Sequence, residues 1–204
     1  MLLISITGAA IFFYIVVRFI GLPEMLGKII SAVGLISGIV LAFDMGATYV
    51  LPGRPAWRTW FWPLIYAASA AVTGIFSIYI WAAIFQTRIG GAFLFGINNG
   101  ALIALIVQVG TILAYLIFLN SAPIADPIKK PARLLKGAGA LPFWGGVVFA
   151  GAVVPLVLTI WVQTARLVHI SPLMPLVGWI GILLGGISIR AIMYTLGNEI
   201  DPIL

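Results

Sequence analysis

A chain of 204 residues that is 63% hydrophobic and only 8% charged cannot cover its surface with polar groups; a soluble domain carries about 25% charged residues. With a mean hydropathy of +1.21, the remaining solvent is lipid, and the sequence predicts an all-α, polytopic transmembrane helical bundle forming one integral membrane domain over residues 1–204. The absence of cysteine and the single histidine exclude disulfides, iron–sulfur ligation, a zinc site and a bis-histidine haem within the chain, and a net charge of +6 points to anionic lipid headgroups or an acidic partner surface rather than to nucleic acid.

In chain order, six apolar segments are marked at residues 2–20, 29–51, 61–85, 95–119, 143–165 and 173–196, each close to the roughly 20 residues that cross a hydrocarbon core. The first lacks a basic n-region and a small-residue cleavage site, so it reads as a retained helix rather than a signal peptide. The connections GLPEMLGK, PGRPAWRTW, QTRIGG, the long NSAPIADPIKKPARLLKGAGALP and RLVHISP carry the Pro, Gly and charge expected of loops. No internal repeat or low-complexity tract interrupts this pattern.

An even number of spans puts both termini on one face, together with the second and fourth loops. That face collects seven basic residues, Arg54, Arg58, Lys129, Lys130, Arg133, Lys136 and Arg190, against Arg18, Lys28, Arg88 and Arg166 on the other. The positive-inside rule makes the seven-residue face cytoplasmic; a face made basic to dock a partner subunit explains the same bias.

Helix packing in lipid relies on small residues. The last segment offers Gly178, Gly181, Gly185 and Gly186, with Gly181 and Gly185 in small-xxx-small register; the fifth offers Gly146 with Ala150 and the third Ala70 with Gly74. These read as packing seams. Gln108, near mid-membrane, is expected to hydrogen-bond to another helix, as interhelical glue rather than as part of a proton path. Asn98 and Asn99 at the start of the fourth segment, Glu24 in the first loop, Gln163 near the end of the fifth and His169 beyond it lie toward the opposite face.

Polar residues at membrane depth cost at least about 2.5–3.5 kcal/mol each when charged. Asp44, placed about two turns inside the second segment, and Arg190, near the end of the sixth, stand at similar depth on one face, where a carboxylate and a guanidinium can pair. Around them Tyr49, Trp57, Trp60, Trp62 and Tyr194 supply aromatic surface. One reading is an interfacial aromatic belt, which fits Trp60 and Trp62 best. The other is an amphipathic slot open to lipid, of the kind a quinone requires: its tail stays in hydrocarbon while its two oxygens meet donors and a proton acceptor. No nucleophile–base set, phosphate-binding loop or paired catalytic carboxylates occurs, so a stand-alone enzyme is not expected.

Three segments carry a family resemblance. YVLPGRPAWRTWFWPLIYAASAAVTG (49–74) resembles the connection between the fourth and fifth helices in membrane anchor subunits of dimethyl sulfoxide reductase-type complexes. PARLLKGAGALPFWGGVVFAGAVVPLVL (131–158) is similar to a loop and helix of the related polysulfide reductase-type anchors, and GGISIRAIMYTLG (185–197) to the last helix. The resemblance implies a subunit of the cell membrane that holds a molybdopterin catalytic subunit and an iron–sulfur electron-transfer subunit, and that oxidises menaquinol near the face where the latter docks. No haem or metal is then carried in the anchor itself. It assigns Arg54, Arg58, Lys129, Lys130, Arg133 and Lys136 to the docking face, and Tyr49, Trp57, Arg190 and Tyr194 to the quinol slot. The matched segments correspond to the last six helices of the family. Its first two helices, and a Ser-Arg-Glu-like stretch whose acid serves quinol oxidation there, have no counterpart in these 204 residues. Asp44 has no family counterpart either, and is assigned as candidate proton acceptor on chemical grounds alone. Two other readings stand beside this one: a purely structural anchor without quinol chemistry, and a small transporter or channel, which calls for discontinuous helices and an inverted repeat.

Overall fold

The computed structural model describes residues 2–20, 23–50, 59–85, 91–121, 139–165 and 170–198, with side chains for all of these except 2–5, 15, 18, 19, 119–121 and 193–198. The described residues form six helices: α1 (Leu2–Ile20), α2 (Glu24–Ala47), α3 (Phe61–Ile84), α4 (Gly91–Ser121), α5 (Pro142–Ala165) and α6 (Leu173–Asn198). Five of them, α2 to α6, are long and apolar enough to cross a membrane. The chain is an all-α, multi-pass transmembrane bundle.

Five of the six helices begin and end within a few residues of their apolar segments; α2 is shifted toward the N-terminus. It starts directly after Pro23, whose carbonyl accepts the amide of Leu26 (3.0 Å). The pair Glu24–Lys28 (3.1 Å, i,i+4) lies in its exposed opening turns rather than in a loop. At the other end the helix stops at Ala47, with the Thr48 amide donating to the Asp44 carbonyl (3.1 Å).

Helices α3 to α6 make the core, and α1 and α2 hang on it as a hairpin: α1 packs chiefly on α2, and α2 on α3. The core is built on heptad-like seams. Along α3, Trp62, Ile65, Val72, Phe76 and Tyr79 are buried; along α4, Leu94, Asn98, Ala101, Leu105, Gln108 and Tyr115. Spacings of three and four keep one face of each helix turned to its neighbour. The two run antiparallel, so Trp62 meets Tyr115 (ring centroids 5.0 Å) at one end and Tyr79 meets Asn98 at the other. We call the first of these, where α2 ends and α3 begins, the hinge end.

The broadest helix contact is between α5 and α6, and small residues make it. A Cβ on Gly181 would overlap the Ala150 carbonyl, one on Gly185 would lie 2.7 Å from the Gly151 Cα, and one on Gly146 would overlap Ser188. The expected seam is therefore found on α6 at Gly181 and Gly185 and on α5 at Gly146 and Gly151. Gly74 and Gly186, by contrast, meet nothing within 4 Å. On α3 the expected seam is absent, because Ala70 and Gly74 lie on its exposed side. Gly178 packs on the Phe76 ring.

Over Pro142–Val153, α5 is a π-helix, and it becomes α-helical from Val154. The Val154 amide still donates to the Phe149 carbonyl five residues back. Pro155 follows at once, and having no N–H it cannot continue an α-helical ladder to the residue four before it. A donor missing at this point favours the wider spiral on its N-terminal side.

Candidate functional site

Polar side chains inside the bundle fall into two groups with an apolar layer between them. Toward the end away from the hinge, Asn98, wholly buried, is the centre of a closed network. The Tyr79 hydroxyl donates to Asn98 Oδ1 (3.2 Å), and Asn98 Nδ2 donates to the Thr159 carbonyl (3.1 Å) and to Gln163 Oε1 (3.0 Å). Three helices are joined with these groups of Asn98 satisfied. This is the glue that the sequence assigned to Gln108.

Gln108 does not play that part. Its side chain is 7% exposed, yet its Oε1 is buried without a hydrogen-bond partner. The antiparallel register of α3 and α4, fixed by Trp62 on Tyr115 and Tyr79 on Asn98, sets the short side chains of Ala68 and Ser69 at its level. Between Gln108 and Asn98 lies the apolar layer: Val72, Phe76, Ala101, Leu105 and Ile182, none more than 2% exposed.

At the hinge end, Trp62, Ile65, Tyr115, Phe143, Val147 and Ile192 form a buried cluster, with Tyr49, Tyr66 and Ile189 packed against it. Trp62, read from sequence as a belt residue, is 2% exposed and belongs to this core, whereas Trp60 is 77% exposed at the surface. Two residues along a helix turn the chain by about 200°, so the neighbours face opposite ways. Trp62 is corrected to a core residue, and Trp60 alone has the exposure that a belt requires.

Tyr49 and Arg190, from opposite ends of the sequence, are brought together by a third residue. The Tyr49 ring stacks on Tyr66 (centroids 5.3 Å, planes 20° apart), and the Arg190 guanidinium carbon lies 5.3 Å from the centre of the Tyr66 ring. The Tyr66 hydroxyl is buried and, among the described residues, has no hydrogen-bond partner. Sequence reasoning missed Tyr66. The signal was available, because it lies one turn inside α3 from the hinge, at the depth that singled out Arg190.

Asp44 is not part of this group. Gly46 presses on α3, where a Cβ would overlap Pro63. Asp44, two residues earlier, therefore points about 160° away. It continues the stripe of Gly34 and Ser37 by which α2 packs on α1, where Thr7 donates to Ser37 (3.2 Å). The expected pairing with Arg190 is not formed: among the described residues the ion pair found is Glu24–Lys28, and both Asp44 and Arg190 are exposed. Asp44 also lies in the last turn of α2, not two turns inside it.

Trp57, Arg54, Arg58, Lys129, Lys130, Arg133, Lys136 and His169, and the side chain of Tyr194, lie outside the described residues. Among the described residues no group of three or more His, Asp or Glu converges as a metal site would require.

Two concavities open near the hinge end. One, of about 360 Å³ between α4 and α5, is lined by Val109, Ile112, Leu113, Leu116, Phe143, Trp144, Val147, Val148 and Ala152, with no polar side chain except the indole of Trp144. The other, of about 320 Å³, lies among Thr59, Trp60, Phe61, Leu64 and Phe118, and its one hydroxyl, on Thr59, already accepts the Phe61 amide (3.3 Å). The first is almost wholly apolar, and the second offers the Thr59 O–H and the Trp60 indole as donors. Tyr66 and Arg190 belong to neither lining.

Fold and buried polar groups together define a multi-pass helical membrane protein with a polar, aromatic cluster at one end. Comparison with protein-family models, with characterised proteins and with solved structures finds no match for this chain.

Proposed function

We propose that the chain is the membrane anchor subunit of a multi-subunit molybdopterin-type respiratory oxidoreductase of the cell membrane, binding (mena)quinol and passing its electrons to a docked iron–sulfur subunit. The observation that carries the reading is the Tyr49–Tyr66–Arg190 cluster, in which flat aromatic surface and a guanidinium adjoin on the hinge side of the bundle. The resemblance of segments 49–74, 131–158 and 185–197 to anchors of dimethyl sulfoxide and polysulfide reductase-type complexes supports it, and two of those segments supply the cluster.

On this reading the quinone ring lies against the tyrosines and its oxygens face phenol and guanidinium donors. Trp57 and Tyr194 complete the slot, and Arg54, Arg58, Lys129, Lys130, Arg133 and Lys136 receive the iron–sulfur subunit. Oxidation of a quinol removes two electrons and two protons, so a base must stand along the exit. Asp44, turned toward α1, receives protons that have already left the ring rather than touching it. The layer of Val72, Phe76, Ala101, Leu105 and Ile182 across the core favours an anchor over a transporter, whose substrate path runs through the middle of its bundle.

Purification in mild detergent tests the assignment. Co-purification of an iron–sulfur protein together with a molybdopterin protein is the expected result; recovery of the chain alone, or flux of solutes through it in liposomes, sinks it. Co-purification of both partners without any quinone binding leaves the purely structural anchor.

A further inference from the structure

We infer that Tyr66 is the residue that donates a hydrogen bond to the headgroup oxygen of a lipid-soluble cyclic dione or its hydroquinone, and that Arg190 is the movable wall through which that ring enters. The inference rests on the quinol reading above and adds to it a residue and a direction of approach.

A phenolic hydroxyl buried without a partner costs free energy that the folded chain does not recover, about 1–3 kcal/mol. Native proteins leave few such groups, and an incoming partner is one of the ordinary reasons for one. The Tyr66 hydroxyl is in that state, and three surroundings say what kind of partner fits. Its ring is stacked nearly parallel with Tyr49, so the local surface is a flat aromatic plate suited to another planar ring. The guanidinium over it supplies a second set of donors, so the complement is an oxygen acceptor rather than a cation. Finally, Ile187 and Leu184, on the turns of α6 just below Arg190, are 61% and 50% exposed toward lipid, so the molecule must be soluble in hydrocarbon.

Access follows from which wall can move. Tyr49 and Tyr66 are half-buried against the hinge cluster. Arg190 is exposed, and among the described residues it makes no ion pair; its contact is the Tyr66 face, which holds an exposed cation by about 0.5–1 kcal/mol. Swinging that side chain outward uncovers the ring between α3 and α6 at small cost.

The test uses the full chain in nanodiscs of quinone-free lipid, with a short-tailed naphthoquinone as probe and tryptophan quenching as readout. Tyr66→Phe is expected to weaken binding about tenfold with the thermal midpoint unchanged or raised, because removing the hydroxyl breaks no intramolecular bond and relieves its desolvation cost. Wild-type affinity in Tyr66→Phe, with the native chain binding normally, overturns this inference and spares the quinol reading. No binding by the native chain removes both. Should anionic phospholipid added to the discs displace the probe from the native chain but not from Tyr66→Phe, the hydroxyl serves a lipid headgroup and the inference is again overturned.

Discussion

The guanidinium of Arg190 and the ring of Tyr66 lie 5.3 Å apart, although 124 positions separate them (190 − 66). That contact ties the last helix to the first helix of the core at the hinge end. Arginine suits it because a planar, weakly hydrated cation stacks on an aromatic face better than an ammonium does. Arg190→Lys is expected to leave stability within about 1 kcal/mol while raising the KM for quinol in the assembled complex severalfold. Steady-state kinetics with a detergent-soluble quinol checks it.

Asp44→Asn is expected to leave quinol-linked turnover within about twofold of normal, since proton transfer by a carboxylate contributes strongly only within hydrogen-bond reach. The helix phase set by Gly46 against Pro63 turns Asp44 to the α1 side. A hundredfold loss in an assembled complex returns Asp44 to direct contact with the ring.

Asn98 and Gln108 occupy the same face of α4 and should respond oppositely to an apolar replacement. Asn98→Leu orphans the Tyr79 hydroxyl and Gln163 Oε1, both of which it now satisfies, and is expected to lower stability by about 1–3 kcal/mol. Gln108→Met removes an acceptor that has no partner and keeps the volume, so unfolding in detergent should occur at the same temperature or a higher one.

The α5–α6 seam makes a sharp contrast among glycines of one helix. Gly181→Leu drives a side chain into the Ala150 carbonyl and should prevent α5 and α6 from closing, seen as loss of the folded monodisperse species. Gly186→Leu meets open space within 4 Å and should fold normally.

Trp62→Ala empties a site that is 2% exposed and is expected to cost about 3–5 kcal/mol. Trp60→Ala, at 77% exposure, should change stability little. Its effect should be loss of the tryptophan emission that lipid-borne quenchers in the headgroup region reach most easily.

Much of the fold was legible in the sequence, because in lipid the length of an apolar run is itself the structural signal. Which way each helix faces was not. A lipid-facing Ile and an inward-facing Ile are equally apolar, so a seam such as Trp62, Ile65, Val72 and Phe76 has no polar stripe opposite it to set the phase. The misplacement of Trp62 and of Asp44 is one error of phase made twice. Small-residue spacing supplied phase at Gly181 and Gly185 and misled at Ala70 and Gly74, both of which turn outward. Of the expected slot, Tyr49 and Arg190 do come to one place, yet the residue between them went unnoticed. A tyrosine inside an apolar run reads as core, and an unsatisfied hydroxyl exists only once the surrounding chain is folded.

The closed layer of Val72, Phe76, Ala101, Leu105 and Ile182 also has an electrical consequence. A membrane voltage falls across whatever lacks mobile charge, at about 2.3 kcal/mol per elementary charge per 100 mV, and in this bundle that region includes the layer between the levels of Asn98 and Gln108. A ring held at Tyr66 and Arg190, as proposed, lies on the hinge side of that layer. On the proposed quinol reading, the protons of quinol oxidation leave to the hinge-side water without crossing that layer.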